Sequence, residues 1–99
     1  MDIFKIGTPS DGAHCYCVFV GVGEPFAQEF CVYANSEGEA TNLVADFCMQ
    51  YEFRELYAYQ YDIARLCDGE TVDEYAKAHN LTYFESQGVY LNIVKVVKF

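Results

Sequence analysis

Residues 36–51, SEGEATNLVADFCMQY, decide how this chain folds. Ala40, Leu43, Val44, Phe47, Cys48 and Tyr51 recur at intervals of three and four, so a 3.6-residue helix collects them into one apolar stripe. Ser36 supplies the start: its hydroxyl can accept from the backbone N–H three residues on, while Glu39 reaches back to the Ser36 N–H, the reciprocal pattern of a capping box. With the stripe inward, the outer face carries Glu39, Asn42, Asp46 and Met49, and Phe53 follows if the helix extends that far. A helix with one apolar face needs a surface to cover it. The sequence on both sides is β-rich, so that surface is a sheet.

Upstream, IFKIGT (residues 3–8) reads as a short strand closed by the turn formers Pro9-Ser10-Asp11-Gly12. HCYCVFVGV (14–22) has Tyr16, Val18 and Val20 on one alternating face and Cys15, Cys17 and Phe19 on the other, which suits a central strand. After Gly23-Glu24-Pro25, Gln28–Ala34 alternates Phe30, Val32 and Ala34 against Glu29, Cys31 and Tyr33. Downstream, RELYAYQYDIARLC (54–67) fits two periods. Tyr57, Tyr59, Tyr61 and Ile63 alternate as in a strand, while Leu56, Tyr59, Ile63 and Leu66 fit a helical seam; tyrosines at a spacing of two favour the strand. Asp68-Gly69-Glu70 turns the chain, Thr71 opens a second capped helix through about His79, and Asn80 stops it. Leu81–Glu85, the turn Ser86-Gln87-Gly88 and the long strand Val89–Phe99 complete a single α+β domain over residues 1–99. The expected order is βββ-α-β-α-ββ, a mostly antiparallel sheet with the main helix packed on one face.

Composition restricts the function. Of 99 residues, 53% are hydrophobic, nine are Tyr and eight are Phe, enough to offset the entropy of ordering one core. There is no long apolar run for a membrane span, and MDIFKIG lacks the features of a signal peptide, so a cytoplasmic location is expected. Five cysteines without export signals read as reduced thiols. Fifteen acids against six bases give a formal charge of −9, and residues 24–74 hold twelve of those acids with two bases. Such a surface repels nucleic acid and anionic lipid and attracts basic protein surfaces.

Catalytic signatures are absent from the sequence. His14 and His79 lack the surroundings of a Cys–His nucleophile pair, Gly21-Val22-Gly23 lacks the third glycine and following helix of a dinucleotide site, and no carboxylate pair stands out. No enzyme activity and no cofactor are expected. The acids Glu37, Glu39, Asp46, Glu52 and Glu55 around the first helix, and Asp68, Glu70, Asp73 and Glu74 beyond it, are the candidate partner-binding residues, together with Met49, Tyr57, Tyr59 and Tyr61. Carboxylates spaced along helices and strand ends can imitate a row of phosphates, and tyrosine has the apolar body and polar tip that interfaces favour. Much of this acidity also serves simply as a solvated surface.

In size, acidity and a sheet-plus-helix plan whose helix opens with ANSEGEA (34–40), the chain resembles small proteins of bacteriophages and mobile elements, among them anti-CRISPR and anti-restriction inhibitors. That resemblance implies a non-enzymatic inhibitor in the host-cell cytoplasm that occupies the basic nucleic-acid site of a protein or nucleoprotein complex. Two alternatives come from other features. Both faces of Val89–Phe99 are apolar, which suits a structural subunit that self-associates, as a homodimer for example, through its last strand. A three-residue turn at Gly23-Glu24-Pro25 would set Cys31 opposite Cys17, so His14, Cys15, Cys17 and Cys31 could form a thiol or metal site.

Overall fold

A computed structural model describes residues 3–10, 12–21, 27–50, 53–67 and 69–99. The Gly23-Glu24-Pro25 turn, Tyr51, Glu52 and Asp68 lie outside the described residues. Three strands come first: β1 (Ile3–Ile6), β2 (His14–Gly21) and β3 (Ala27–Ala34). Helix α1 (Glu37–Gln50) follows, then a 3₁₀ turn (Arg54–Leu56), β4 (Tyr57–Tyr59), α2 (Gln60–Leu66), α3 (Val72–Ala78), β5 (Thr82–Phe84) and β6 (Val89–Lys98).

The expected α+β architecture and mostly antiparallel pairing are present. The strand order is β1-β3-β2-β6-β4, with β5 also paired to β6. β2 runs antiparallel to both β3 and β6, whereas β1 is parallel to β3, a direction that strand periodicity could not reveal. Tyr90 pairs with Ala58 of β4 and also with Tyr83 of β5, so these two short strands flank the first part of β6 on opposite edges. The last strand is thus internal at its start, as its two apolar faces require.

Helix α1 begins as its sequence dictates, with the Glu39 backbone N–H donating to Ser36 Oγ at 3.1 Å. It buries Ala40, Val44, Ala45 and Cys48 completely against Tyr16, Val18, Val20, Phe30, Val32 and Leu91. At the β1 end of this core, Phe30 lies 5.9 Å from Phe4, 5.7 Å from Phe47 and 6.1 Å from Phe53, centroid to centroid. Phe53 is therefore part of the core, and so is Met49, half-buried against the same cluster. The outward placement expected for both fails because the Phe53 N–H donates to the Cys48 carbonyl at 3.2 Å, which sets Phe53 beside the Phe30 ring, and Met49 packs on the same cluster.

The stretch 54–67 divides between its two periods. Only Tyr57, Ala58 and Tyr59 find partners on β6, at Leu91, Tyr90 and Val89. Beyond them the helix formers Gln60, Ala64, Arg65 and Leu66 take over, and Ile63 becomes the buried anchor of α2, 1% exposed. The expected single strand is corrected to a strand followed by a helix, because Tyr59 pairs with Val89, the first residue of β6, and no further partner on that strand remains. The order becomes βββ-α-β-α-α-ββ. Helix α3 has the anticipated cap, with the Glu74 N–H donating to Thr71 Oγ1 at 3.1 Å, and stops at Asn80, whose φ of 55° is left-handed.

Register fixes the two sides of the sheet. Val89, Leu91, Phe30 and Val18 face α1. Tyr90 and Ala58 face the other way, where Ile63 of α2 and Ala76 of α3 cover them in a second, smaller core. α2 packs on β4 and α3, whereas α1 packs on β1, β2, β3 and β6. The far side of β2 and β3 therefore carries no described helix, and it presents Cys15, Cys17, Phe19, Glu29, Cys31 and Tyr33.

Candidate functional site

The acidic candidates occupy two helix starts and the wall of a groove. Glu37 and Glu39 are exposed in the first turn of α1, and Asp73 and Glu74 are exposed in the first turn of α3, where the partial positive charge of a helix N-terminus favours carboxylates. Glu70 is exposed just before α3. Asp46 accepts a hydrogen bond from Gln87 Nε2 at 3.3 Å, which ties the middle of α1 to the β5–β6 turn. No ion pair links any of these acids to a base among the described residues.

Between the 3₁₀ turn, β4, α2, α3 and β6 lies a groove of about 330 Å³. Its lining is mainly apolar, from Leu56, Ala58, Ile63, Leu81 and Tyr90, and exposed Glu55 and Asp62 bring carboxylates to its wall. His79 closes one side. Its ring stacks on Tyr75 with centroids 4.0 Å apart, and its Nδ1 lies 2.9 Å from the Tyr75 carbonyl oxygen. Sequence reading selected Glu55 but missed Asp62 and the groove, because the groove exists only where residues 55–63, 75–81 and 90–92 converge.

The three tyrosines do not act as one row. Tyr57 and Tyr59 stand on the α1 side of β4, half-buried and edge-to-face at 5.4 Å, with the Arg54 guanidinium 5.9 Å from the Tyr59 ring. Burial foremost, then the neighbouring Tyr59 hydroxyl, pushes the Tyr57 phenol above its ordinary value. Tyr61, on α2, is 71% exposed beneath Arg65. The strand-to-helix change after Tyr59 breaks the alternation that would have aligned all three.

The thiols form a separate constellation. Cys17 and Cys31 are register partners, as a tight β2–β3 connection predicts, and their Sγ atoms are 3.5 Å apart. One carboxylate oxygen of Glu29 and the two sulfurs lie within 4.8 Å of one another. Cys15 flanks Cys31 on the same face, opposite Tyr33. His14, by contrast, points to the other face, its ring edge-on to Tyr16 at 6.2 Å. The expected His14 member is replaced by Glu29, which the β3 alternation already placed beside Cys31. Burial, then the neighbouring Cys31 and Glu29, pushes the Cys17 thiol up to about 12. Burial, with Glu55 second, does the same to Cys48 inside the core.

These thiols give stability a defined pH dependence. Both fold neutral with pKa values raised from 9.0 to about 12, so the unfolded chain releases these protons first. Their contribution is fully present below pH 9.0 and is lost as pH rises towards about 12. Urea midpoints measured at a series of alkaline pH values are expected to decline across that window, and a flat profile would contradict the buried, neutral thiols.

No helix among the described residues is long and apolar enough to cross a membrane. Compared with protein-family profiles, curated proteins and solved structures, the chain has no match.

Proposed function

We propose that this chain is a non-enzymatic acidic binding protein, an inhibitor or nucleic-acid-mimicking decoy of the anti-CRISPR type, which docks on a basic surface of a protein or nucleoprotein complex. The observation that carries this reading is the apolar groove walled by Glu55 and Asp62, one side of which is α3, the helix that carries exposed Asp73 and Glu74. Lysine and arginine have apolar stems and charged heads. A groove with an apolar floor and carboxylate wall complements both parts. The exposed acids at the starts of α1 and α3 add long-range attraction that accelerates encounter and weakens with salt.

The groove acids are the most informative to reverse. In a Glu55→Lys/Asp62→Lys variant, partner capture from the host is expected to fall by at least about tenfold, with the thermal midpoint little changed because both side chains are exposed. Reversal of Glu37 and Glu39 should act mainly on association rate. Capture that ignores both salt and the groove variant would refute acidic docking.

One observation favours a second reading, assembly through the last strand. β2 occupies one edge of β6 from Asn92 to Lys98, while no described strand pairs the opposite edge beyond Leu91. Val94 is 56% and Phe99 75% exposed there. Lys95 and Lys98 oppose edge pairing, as charged edge residues do. A strict monomer by light scattering at high concentration would remove this reading.

A further inference from the structure

We propose that Cys17, Cys31 and Glu29 form a binding site for one thiophilic divalent cation of the zinc–cadmium class on the side of β2 and β3 that lies away from α1, with the fourth position open to solvent. This site is independent of the acidic groove. Its donors come from two paired strands whose register is fixed along the whole ladder, so the ligands are placed by the sheet and do not depend on a mobile loop.

The distances fit the coordination. Two thiolates bound at about 2.3 Å to one tetrahedral ion stand roughly 3.8 Å apart. Cys17 and Cys31 are already at 3.5 Å, so a small sidechain rotation admits the ion. Glu29 lies within 4.8 Å of both sulfurs and supplies the third donor. The set selects the metal: thiolates prefer soft or borderline ions, whereas magnesium and calcium need oxygen donors. Binding exchanges protons for the ion, with each coordinating thiol releasing one proton as its sulfur–metal bond forms. The charge balance is favourable. Two thiolates and a carboxylate outweigh the exposed Lys5 ammonium, the register neighbour of Cys31 on β1.

The placement also accounts for an otherwise unusual grouping. Cys17 is 5% exposed between thiol and carboxylate neighbours on the sheet face away from α1. Cys48, which does serve as a core residue, has aliphatic and aromatic neighbours instead.

The experiment titrates Cd²⁺ and Zn²⁺ separately into metal-free protein held reduced with a phosphine. The expected result is one ion per chain, a thiolate-to-metal charge-transfer absorption with Cd²⁺, and proton release that accompanies binding. Cys31→Ser should weaken binding at least about tenfold. Glu29→Gln, which keeps the shape and leaves the thiols untouched, should weaken it less, and Cys67→Ser should leave it unchanged. Circular dichroism of each variant confirms that the sheet is retained. Absence of the absorption band, a Cd²⁺ affinity in Cys31→Ser equal to that of the unaltered chain, or equal weakening in Cys67→Ser would each overturn the proposal. So would a Cys17–Cys31 disulfide that persists in phosphine, since its sulfurs could not bind the ion.

Discussion

Replacing Phe30 with alanine is expected to lower stability by about 3–5 kcal/mol, the cost of emptying a large aromatic site in a packed core. Phe30 is 0% exposed and its ring meets Phe4, Phe47 and Phe53, which come from β1, α1 and the segment after α1. Those three rings also touch one another: Phe4 lies 4.9 Å from Phe53, and Phe47 stacks on Phe53 at 5.9 Å. Removal of the central ring therefore loosens three elements at once. Since a domain of this size has roughly 5–15 kcal/mol in total, the variant should be partly unfolded at physiological temperature. A urea titration checks this, with the midpoint expected to drop by about 2 M for a typical denaturant slope. Phe30→Leu, which refills part of the site, should recover a good fraction of the loss. A change below about 1 kcal/mol in Phe30→Ala would mean that the aromatic cluster does not hold α1 to the sheet.

Ile63→Ala should cost about 2–4 kcal/mol, but its effect should be local. Ile63 is the anchor of the second core, where it joins Ala76 and Tyr90. Helices α2 and α3 have seven residues each, too few to persist without packing, so their amides should lose protection when the anchor is truncated. The β2–β3 ladder rests on the first core and should keep its protection. Hydrogen exchange resolved by residue distinguishes the two regions. Uniform loss throughout the chain would show that the two cores unfold as one unit. Because α2 and α3 form two walls of the acidic groove, the same variant is expected to abolish partner capture, whereas Phe30→Leu should preserve it.

The parts legible in the sequence are those governed by neighbours close along the chain. Ser36 and Thr71 cap their helices through the backbone N–H three residues on, and Asn80 ends α3, because capping is a one-turn interaction. The alternation in β2 and β3 likewise separated Val18 and Phe30 from Cys17 and Cys31, and the short β2–β3 connection implied that the two cysteines oppose each other. The stretch 54–67 could not be settled in this way. Its tyrosines and its helix formers support both periods, and the change at Gln60 depends on how much of β6 remains available for pairing.

Local order along the chain thus specified the α+β class, the amphipathic helix and its cap, the faces of the central strands and the acidity of the middle of the chain. Contacts between distant segments set the parallel pairing of β1 with β3, the inward turn of Met49 and Phe53, and the groove between β4, α2, α3 and β6. The physical reason is one of range. Periodicity and capping act over a few residues and are written in local order, whereas strand direction, burial of a helix end and convergence at a groove arise only when distant segments compete for the same apolar surface.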